Sequence, residues 1–343
     1  MIHIRAFVIS EPGQFHFEDR EAPQLPEGHA LLRVRSVGLC GTDLSSFRGS
    51  NPLITYPRVP GHEVAATVVQ LNGEPPPGIE IGANVAVSPY KNCGICASCR
   101  RGRPNACQFN ETLGVQRDGA MTELIAVPYS RLIYAGGMPL RTLGVVEPLT
   151  VGFHAVSRGR VTPSDTVAVF GCGGVGLGAV SGAAFRGARV IGVDVEHAKL
   201  DLARKAGAAL TIHSGEEVLH DRLAELTGGH GPDVIIEAIG NPATFRAAVE
   251  EVAWTGRVVY IGYAKEPVSY ETRWFVQKEL DIIGSRNALP EDFAATVEML
   301  RQGRFPVEEA ISHVFPFEQA GEAFASWSAK PGGFRKILVE VNA

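Results

Sequence analysis

The chain has 343 residues, of which 45% are hydrophobic and 20% charged, and its formal net charge is −5. That length predicts about two domains, and nothing in the acidic balance suggests the basic patch or stripe that a nucleic-acid-binding protein needs. The one long uncharged stretch, residues 166–185, holds six glycines and opens on a short strand-like run, which argues against a membrane helix.

In chain order, the N-terminal MIHIRAFVIS has no basic segment ahead of an apolar run. No secretory signal is visible there, so a cytoplasmic location is expected. Residues 30–37 (ALLRVRSV) and 63–71 (EVAATVVQL) are rich in β-branched residues and separated by Gly/Pro turns, which predicts a β-rich first region. Residues 74–82 (EPPPGIEIG) form a turn-rich connection. From about Glu147 the pattern changes. Short apolar runs at 167–170, 189–193, 234–238 and 258–261 alternate with helical stretches such as 197–206 and 242–253. Alternating strand and helix reads as a parallel α/β sheet. An amphipathic helix at 292–302 and a strand at 336–341 complete the pattern, with no internal repeat and no low-complexity tract.

Four of the six cysteines, Cys93, Cys96, Cys99 and Cys107, give the spacing C-x2-C-x2-C-x7-C. Four thiolates on a short loop suit a closed tetrahedral zinc, and a site with no open position is structural rather than catalytic. Without an export signal a disulfide framework is disfavoured. Iron–sulfur sequences also open with C-x2-C-x2-C, but the fourth Cys and the Pro after it are not placed here as in a ferredoxin run. Arg100, Arg101 and Arg103 in the same loop read as a solvated face that offsets thiolate charge. A second constellation, Cys40-Gly41-Thr42-Asp43 with Gly61-His62-Glu63, offers sulfur, nitrogen and oxygen donors that fit a catalytic zinc with an open position. From spacing alone, a core Cys40 and a structural His62 also account for it.

The apolar run 167–170 is followed by Gly171-Cys172-Gly173-Gly174-Val175-Gly176, a G-x-G-x-x-G ahead of helix-compatible residues. A second strand-like segment, ARVIGVD, ends in Asp194 about twenty residues further on, which completes a dinucleotide-binding fingerprint. Gly171 would permit the tight turn, Gly173 the approach to a pyrophosphate, and Gly176 close helix–strand packing, with the helix N-terminus stabilising the phosphate charge. Asp194 would accept hydrogen bonds from the adenosine ribose and repel a 2′-phosphate, which predicts NAD rather than NADP. The plainer alternative is a Gly-rich turn with no ligand. Cys172 is expected to pack as a small buried residue.

CGTD, GHE, the four-Cys loop, Glu147-Pro148, the Gly-rich turn and Asp194 occur in one order along the chain. In that order the chain resembles the zinc-containing medium-chain alcohol dehydrogenase family over essentially its whole length. The resemblance implies an α/β protein: a GroES-like, β-rich catalytic domain with a structural zinc lobe, from residues 1–146 and 289–343, and a Rossmann-type, doubly wound parallel-sheet domain binding NAD, from residues 147–288. It also implies two zinc ions per chain, one catalytic and one structural. Cys40 and His62 match the catalytic zinc ligands, and Glu147 occupies the position of the third. Glu63, which in polyol and threonine members binds the metal or its water, follows His62. Asp43 matches the carboxylate that orients the ligand His. Thr42 matches the hydroxyl that touches the substrate oxygen, and Lys199 a contact to the coenzyme ribose. Many relatives carry His five residues after the ligand Cys, at the outer end of a proton relay. Here Ser45 stands there, and serine has no useful pKa near neutrality. The proton is therefore expected to leave through water, Glu63 or another group.

The implied reaction is oxidation of a secondary hydroxyl, with zinc as Lewis acid and hydride passing to the nicotinamide. Residues 56–58 (YPR), 113–120 (LGVQRDGA) and 284–293 (GSRNALPEDF) resemble bacterial sugar-acid dehydrogenases of the L-galactonate and L-gulonate type. Arg117 or Arg286 would then pair with a substrate carboxylate; the plain alternative for Arg286 is a contact to cofactor or to a neighbouring loop. Three other readings compete: an amino-alcohol enzyme resembling L-threonine dehydrogenase, a zinc-free quinone-reductase-like protein, and a zinc-stabilised nucleotide-binding protein without activity. Ser45 weakens the first, and the presence of Cys40, His62 and Glu147 weakens the others. The expected partners are a small-molecule substrate and further copies of the chain, as a dimer or tetramer by resemblance, with no nucleic acid and no membrane.

Overall fold

Strand His29–Leu39 alternates buried and part-exposed residues along most of its length, as a strand does when one face lies on a core. It pairs antiparallel with Glu63–Asn72, with Leu124–Pro128 and with Lys336–Glu340, so the C-terminal strand lies beside the strand that leads to Cys40. These belong to a seven-stranded sheet whose inner face buries Val34, Val37, Val64, Val68, Ile337 and Val339. A hairpin of His3–Glu11 and Gln14–Glu21 packs Phe7 into the same core.

The computed structural model describes residues 3–341. It divides into one unit of Met1–Glu147 with Val307–Ala343 and a second of Pro148–Pro306. The return to the first unit falls at 307 rather than at the expected 289. The cause is the helix Pro290–Arg301, whose Asp292 fastens it to the second unit. Asp292 Oδ2 lies 2.7 Å from His154 Nδ1, and Oδ1 accepts from Ser157 Oγ at 2.9 Å.

In the second unit six strands run parallel in the order Leu210–His213, Arg189–Asp194, Thr166–Phe170, Val234–Glu237, Arg257–Tyr260, Asp281–Gly284. Numbered along the chain this is 3-2-1-4-5-6, the doubly wound order whose direction reverses beside the first strand. Ligands bind at the carboxyl ends of strands at such a reversal. The short runs predicted as strands are central and buried on both faces, hence continuously apolar. Leu210–His213 and Asp281–Gly284 are four-residue outer strands that no periodicity singles out. The uncharged stretch 166–185 is split into strand Thr166–Phe170 and helix Gly174–Phe185. Among the described residues no helix is long and apolar enough to cross a membrane.

Candidate functional site

The first unit gathers Cys40, His62 and Glu63 so that one donor atom from each lies within 4.8 Å of the others. Cys40 ends strand His29–Leu39 as the N-cap of helix Gly41–Phe47. Asp43, in that helix's first turn, fixes the geometry. Its Oδ2 accepts from the Cys40 amide at 2.9 Å and its Oδ1 from the Gly61 amide at 3.2 Å. Oδ1 also faces His62 Nδ1 at 3.6 Å, an ion-pair distance too long for a hydrogen bond. Gly61 adopts φ +98°, a left-handed conformation suited to glycine, and turns the chain into His62. Residues 119–121 hold that turn in place: the Gly119, Ala120 and Met121 amides donate to the Val59, Gly61 and Pro60 carbonyls at 2.8, 2.9 and 3.0 Å. A Cβ at Gly119 would lie 2.4 Å from the Pro60 oxygen, so the segment predicted to border the site touches it through backbone.

Two neighbours of this set were not apparent in the sequence. Lys336 Nζ donates to both Glu63 oxygens, at 2.7 and 2.6 Å, and to the Leu39 carbonyl at 3.2 Å. Both side chains are buried. They meet over Gly38, which pairs with Glu63 on one side and Leu338 on the other; a Cβ there would lie 2.0 Å from Glu63 Oε2. The signal in the sequence is a lysine placed directly before three apolar residues, Ile337, Leu338 and Val339. Tyr90 donates its hydroxyl to Glu147 Oε1 at 2.5 Å, and nothing in the sequence marked it. Glu147 is buried beside the donor set without joining the three atoms within 4.8 Å.

The electrostatics favour a cation. Asp43, Glu63 and Glu147 are all buried here, around a half-buried Cys40. Burial pushes the Glu147 carboxyl up, only partly offset by His62, and burial with Glu147 holds the Tyr90 hydroxyl well up, as a donor. Burial alone would lower the His62 imidazole, but Asp43, Cys40 and Glu147 outweigh it and hold it well above its ordinary value. Thiol sulfur, imidazole nitrogen and carboxylate oxygen are a donor set that fits zinc.

The four-Cys loop fits a different zinc. Strand Tyr90–Lys91 pairs with Glu111–Thr112 at its base. All four sulfurs lie within 4.8 Å of one another, with 3.5 Å between Cys96 and Cys99, 3.6 Å between Cys93 and Cys107, and 3.8 Å between Cys96 and Cys107. Sulfurs around a tetrahedral zinc with bonds of about 2.3 Å stand about 3.8 Å apart, whereas a disulfide needs about 2.05 Å. Backbone amides of Cys93, Cys96 and Phe109 point at Cys107, Cys93 and Cys107 sulfurs at 3.3, 3.4 and 3.3 Å, a pattern that stabilises thiolates.

In the second unit the glycines have separable roles. Gly171 sits at φ +92°, its amide donating to the Val193 carbonyl at 2.8 Å. A Cβ at Gly176 would lie 1.8 Å from the Gly171 oxygen, so strand and helix touch there. A Cβ at Gly173 would meet nothing within 4 Å, which leaves open space at the N-cap of helix Gly174–Phe185. Gly174 and Val175 open that helix. Asp194 Oδ2 accepts from the Cys172 amide at 2.8 Å, and Oδ1 from Val195 and Glu196 at 2.8 and 3.1 Å. Of about four lone-pair sites on a carboxylate, three are used and one is left. Lys199 Nζ is held by Glu196 Oε1 at 2.6 Å. Cys172 is buried, and burial first, then Asp194, pushes its thiol up to about 12, so it packs rather than reacts.

Thr42 is half-buried next to Cys40, and its carbonyl accepts from Ser46 Oγ. Ser45 is half-buried on the same helix. Arg117 belongs to the first unit and Arg286 to the second. The Arg117 guanidinium donates to the carbonyls of Glu111 and Pro89 at 3.4 and 3.2 Å. Its neighbour Asp118 is taken by Arg20 and Arg58 at 2.7 and 3.2 Å.

Known proteins are similar to this chain along nearly its whole length. Residues 26–136 match the alcohol dehydrogenase GroES-like domain and residues 174–302 the zinc-binding dehydrogenase family. The L-galactonate-5-dehydrogenase of Escherichia coli K12 is 32% identical over 94% of this chain and 95% of its own. The erythritol/L-threitol dehydrogenase of Mycolicibacterium smegmatis is 33% identical over 92% of each. Among solved structures, an alcohol dehydrogenase of E. coli CFT073 complexed with NADH is 29% identical, covers 99% of each chain and has a TM-score of 0.89. A zinc-binding dehydrogenase of Sinorhizobium meliloti 1021 bound to NADP is 27% identical over 99% of this chain and 100% of its own, also with a TM-score of 0.89. The chain belongs to the zinc-containing medium-chain alcohol dehydrogenases, in the branch of polyol and sugar-acid dehydrogenases.

Proposed function

We propose that this alcohol dehydrogenase oxidises a secondary hydroxyl of a sugar acid or polyol with NAD, and that L-galactonate or L-gulonate is the kind of substrate it takes. The observation that carries this reading is the donor set of half-buried Cys40 with buried His62 and Glu63, beside Glu147, in a chain 32% identical to an L-galactonate-5-dehydrogenase. Cys40, His62 and one of the two glutamates would hold a zinc ion, which would supply a Lewis acid for a substrate hydroxyl. Asp43 fixes the direction of His62, and Thr42 offers its hydroxyl to the substrate oxygen. Lys336 holds Glu63 in place while Tyr90 holds Glu147, so each glutamate is restrained by its own donor. Lys336 takes one acceptor site on each Glu63 oxygen and leaves the others for the metal or its water, so the departing proton has water, Glu63 or the substrate's own hydroxyls as carriers. Arg117, whose two hydrogen bonds go to carbonyls rather than to an acid, is suited to a substrate carboxylate, and Arg286 is the second candidate. Cys93, Cys96, Cys99 and Cys107 hold the structural zinc.

NAD is favoured by this chain's own residues, since solved relatives hold either coenzyme. A 2′-phosphate at Asp194 would face that carboxylate and Glu196 two residues on, while the nearby Lys199 is already paired to Glu196. The test is a screen for nicotinamide reduction with L-galactonate, L-gulonate, other aldonates, sorbitol, galactitol and L-threonine, each with NAD and NADP. The expected result is turnover of an aldonate or polyol, with NAD preferred by at least about tenfold, a difference of about 1.4 kcal/mol. Turnover of threonine alone, or a requirement for NADP, would overturn the reading.

A further inference from the structure

A third group of metal-ligating side chains shares no residue with the sites described above. His197, His213 and Glu216 place one donor atom each within 4.8 Å of one another, on the second unit. The fold brings them together from two strand ends. Strands Arg189–Asp194 and Leu210–His213 run parallel with Asp194 opposite His213, so both segments leave the sheet at the same carboxyl edge. His197 then opens the helix His197–Lys205. After His213 the chain turns sharply. The amides of Glu216 and Glu217 both donate to the His213 carbonyl at 2.9 Å, and Glu217 Oε1 accepts from the His213 amide at 2.7 Å. That turn brings Glu216 back to the His213 side chain. A Cβ at Gly215 would stand 3.3 Å from His213 Cε1, tighter than an ordinary contact, so a residue without a side chain suits that position.

The side chains converge on one oxygen. His197 Nε2 lies 3.0 Å from Glu216 Oε1, and His213 Nε2 lies 3.9 Å from the same atom. The imidazoles stack, with centroids 4.2 Å apart and planes at 29°. A simple ion pair accounts for one histidine on a glutamate but leaves the approach of the second unexplained. His213 Nδ1 is buried and makes no hydrogen bond, so Nε2 is the nitrogen through which this ring meets polar neighbours. Donors around a tetrahedral ion with bonds of 2.0–2.1 Å stand about 3.3 Å apart, a spacing that the two observed distances bracket. Two imidazoles and one carboxylate suit zinc, nickel or copper and are a poor set for magnesium or calcium.

We propose that His197, His213 and Glu216 bind a third divalent transition-metal ion, in addition to the four-cysteine and Cys40 sites. The ion would sit at the carboxyl edge of the sheet, on the loop whose Ser214 amide donates to the Asp194 carbonyl at 3.1 Å. With three protein donors, two of them on exposed residues, it exchanges with solvent far more readily than an ion closed in by four cysteines.

The test is calorimetric titration of Zn2+ into the full-length protein already carrying its tightly held zinc. One further equivalent is expected, with a Kd in the micromolar range. His197→Gln and Glu216→Gln, both at exposed positions where the fold tolerates change, are expected to weaken that uptake at least tenfold with an unchanged melting temperature. His213→Asn should abolish it. Absence of the further equivalent, or equal uptake by the wild type and all three variants, would overturn the proposal. The readout does not depend on dehydrogenase activity, so it stands or falls separately from the substrate reading.

Discussion

The two zinc-class sites of the first unit are built in opposite ways. The four-cysteine loop draws every donor from fifteen consecutive residues, 93 to 107, and leaves part of that surface in solvent, with Ile95 73% and Phe109 61% exposed. The Cys40 site draws on residues 38 to 336, buries its carboxylates, and needs three strands in register before Lys336 can meet Glu63 over Gly38. A local loop that closes on four thiolates is complete in itself, and such a site stabilises without offering an open position. A set assembled across a sheet, with a lysine and a tyrosine restraining its two glutamates, can hold a charge that the surrounding core would otherwise exclude. Chemistry is therefore expected at the quieter site.

Three substitutions sharpen or break this contrast. The largest stability effect is expected from Lys336→Met, which leaves the Glu63 carboxylate buried without its partner. Breaking a buried pair from one side costs about 3–5 kcal/mol, or about 10 °C in Tm for a unit of this size. Thermal denaturation checks it, and Lys336→Met combined with Glu63→Gln should recover part of the loss; a lone variant as stable as wild type would mean that the pair carries no weight. Next comes Cys93→Ser. It should release the loop's zinc and lower Tm by roughly 5 °C, while the kcat of the remaining folded molecules stays within about threefold. Metal analysis with kinetics at a temperature well below Tm measures both; loss of all turnover with the fold intact would move the chemistry to the cysteine loop. The smallest effect is expected from Tyr90→Phe, which removes one hydrogen bond to Glu147. A loss of about 1 kcal/mol, or about fivefold in kcat with Tm nearly unchanged, is the expected outcome. An unaltered kcat would show that Glu147 needs no restraint.

The same contrast governs what could be read from the sequence. The four-Cys spacing and the Gly-x-Gly-x-x-Gly turn are legible because their physics is local. A Cβ at Gly176 would strike the Gly171 oxygen only five residues away. The central strands of the parallel sheet are legible because burial on both faces makes them continuously apolar, while the outer strands Leu210–His213 and Asp281–Gly284 are too short to show a period. Cys40, His62, Glu63 and Glu147 are recoverable by family likeness but not by spacing, since only the fold brings them near one another. Lys336 and Tyr90 were missed because each acts on a residue more than fifty positions away. The return to the first unit was placed at 289 because the helix Pro290–Arg301 carries no mark of its partner; the contact of Asp292 with His154 is set by packing.

Cys40 is expected to serve the chemistry and the four-cysteine loop the fold. The most direct test is Cys40→Ser, measured for zinc per chain, Tm and turnover of whichever aldonate or polyol the wild type oxidises. The prediction is one tightly held zinc in place of two, a Tm within a few degrees of wild type, and a kcat lowered by at least about a thousandfold, a barrier increase of about 4 kcal/mol. Two zinc ions retained with turnover near the wild-type value would contradict it.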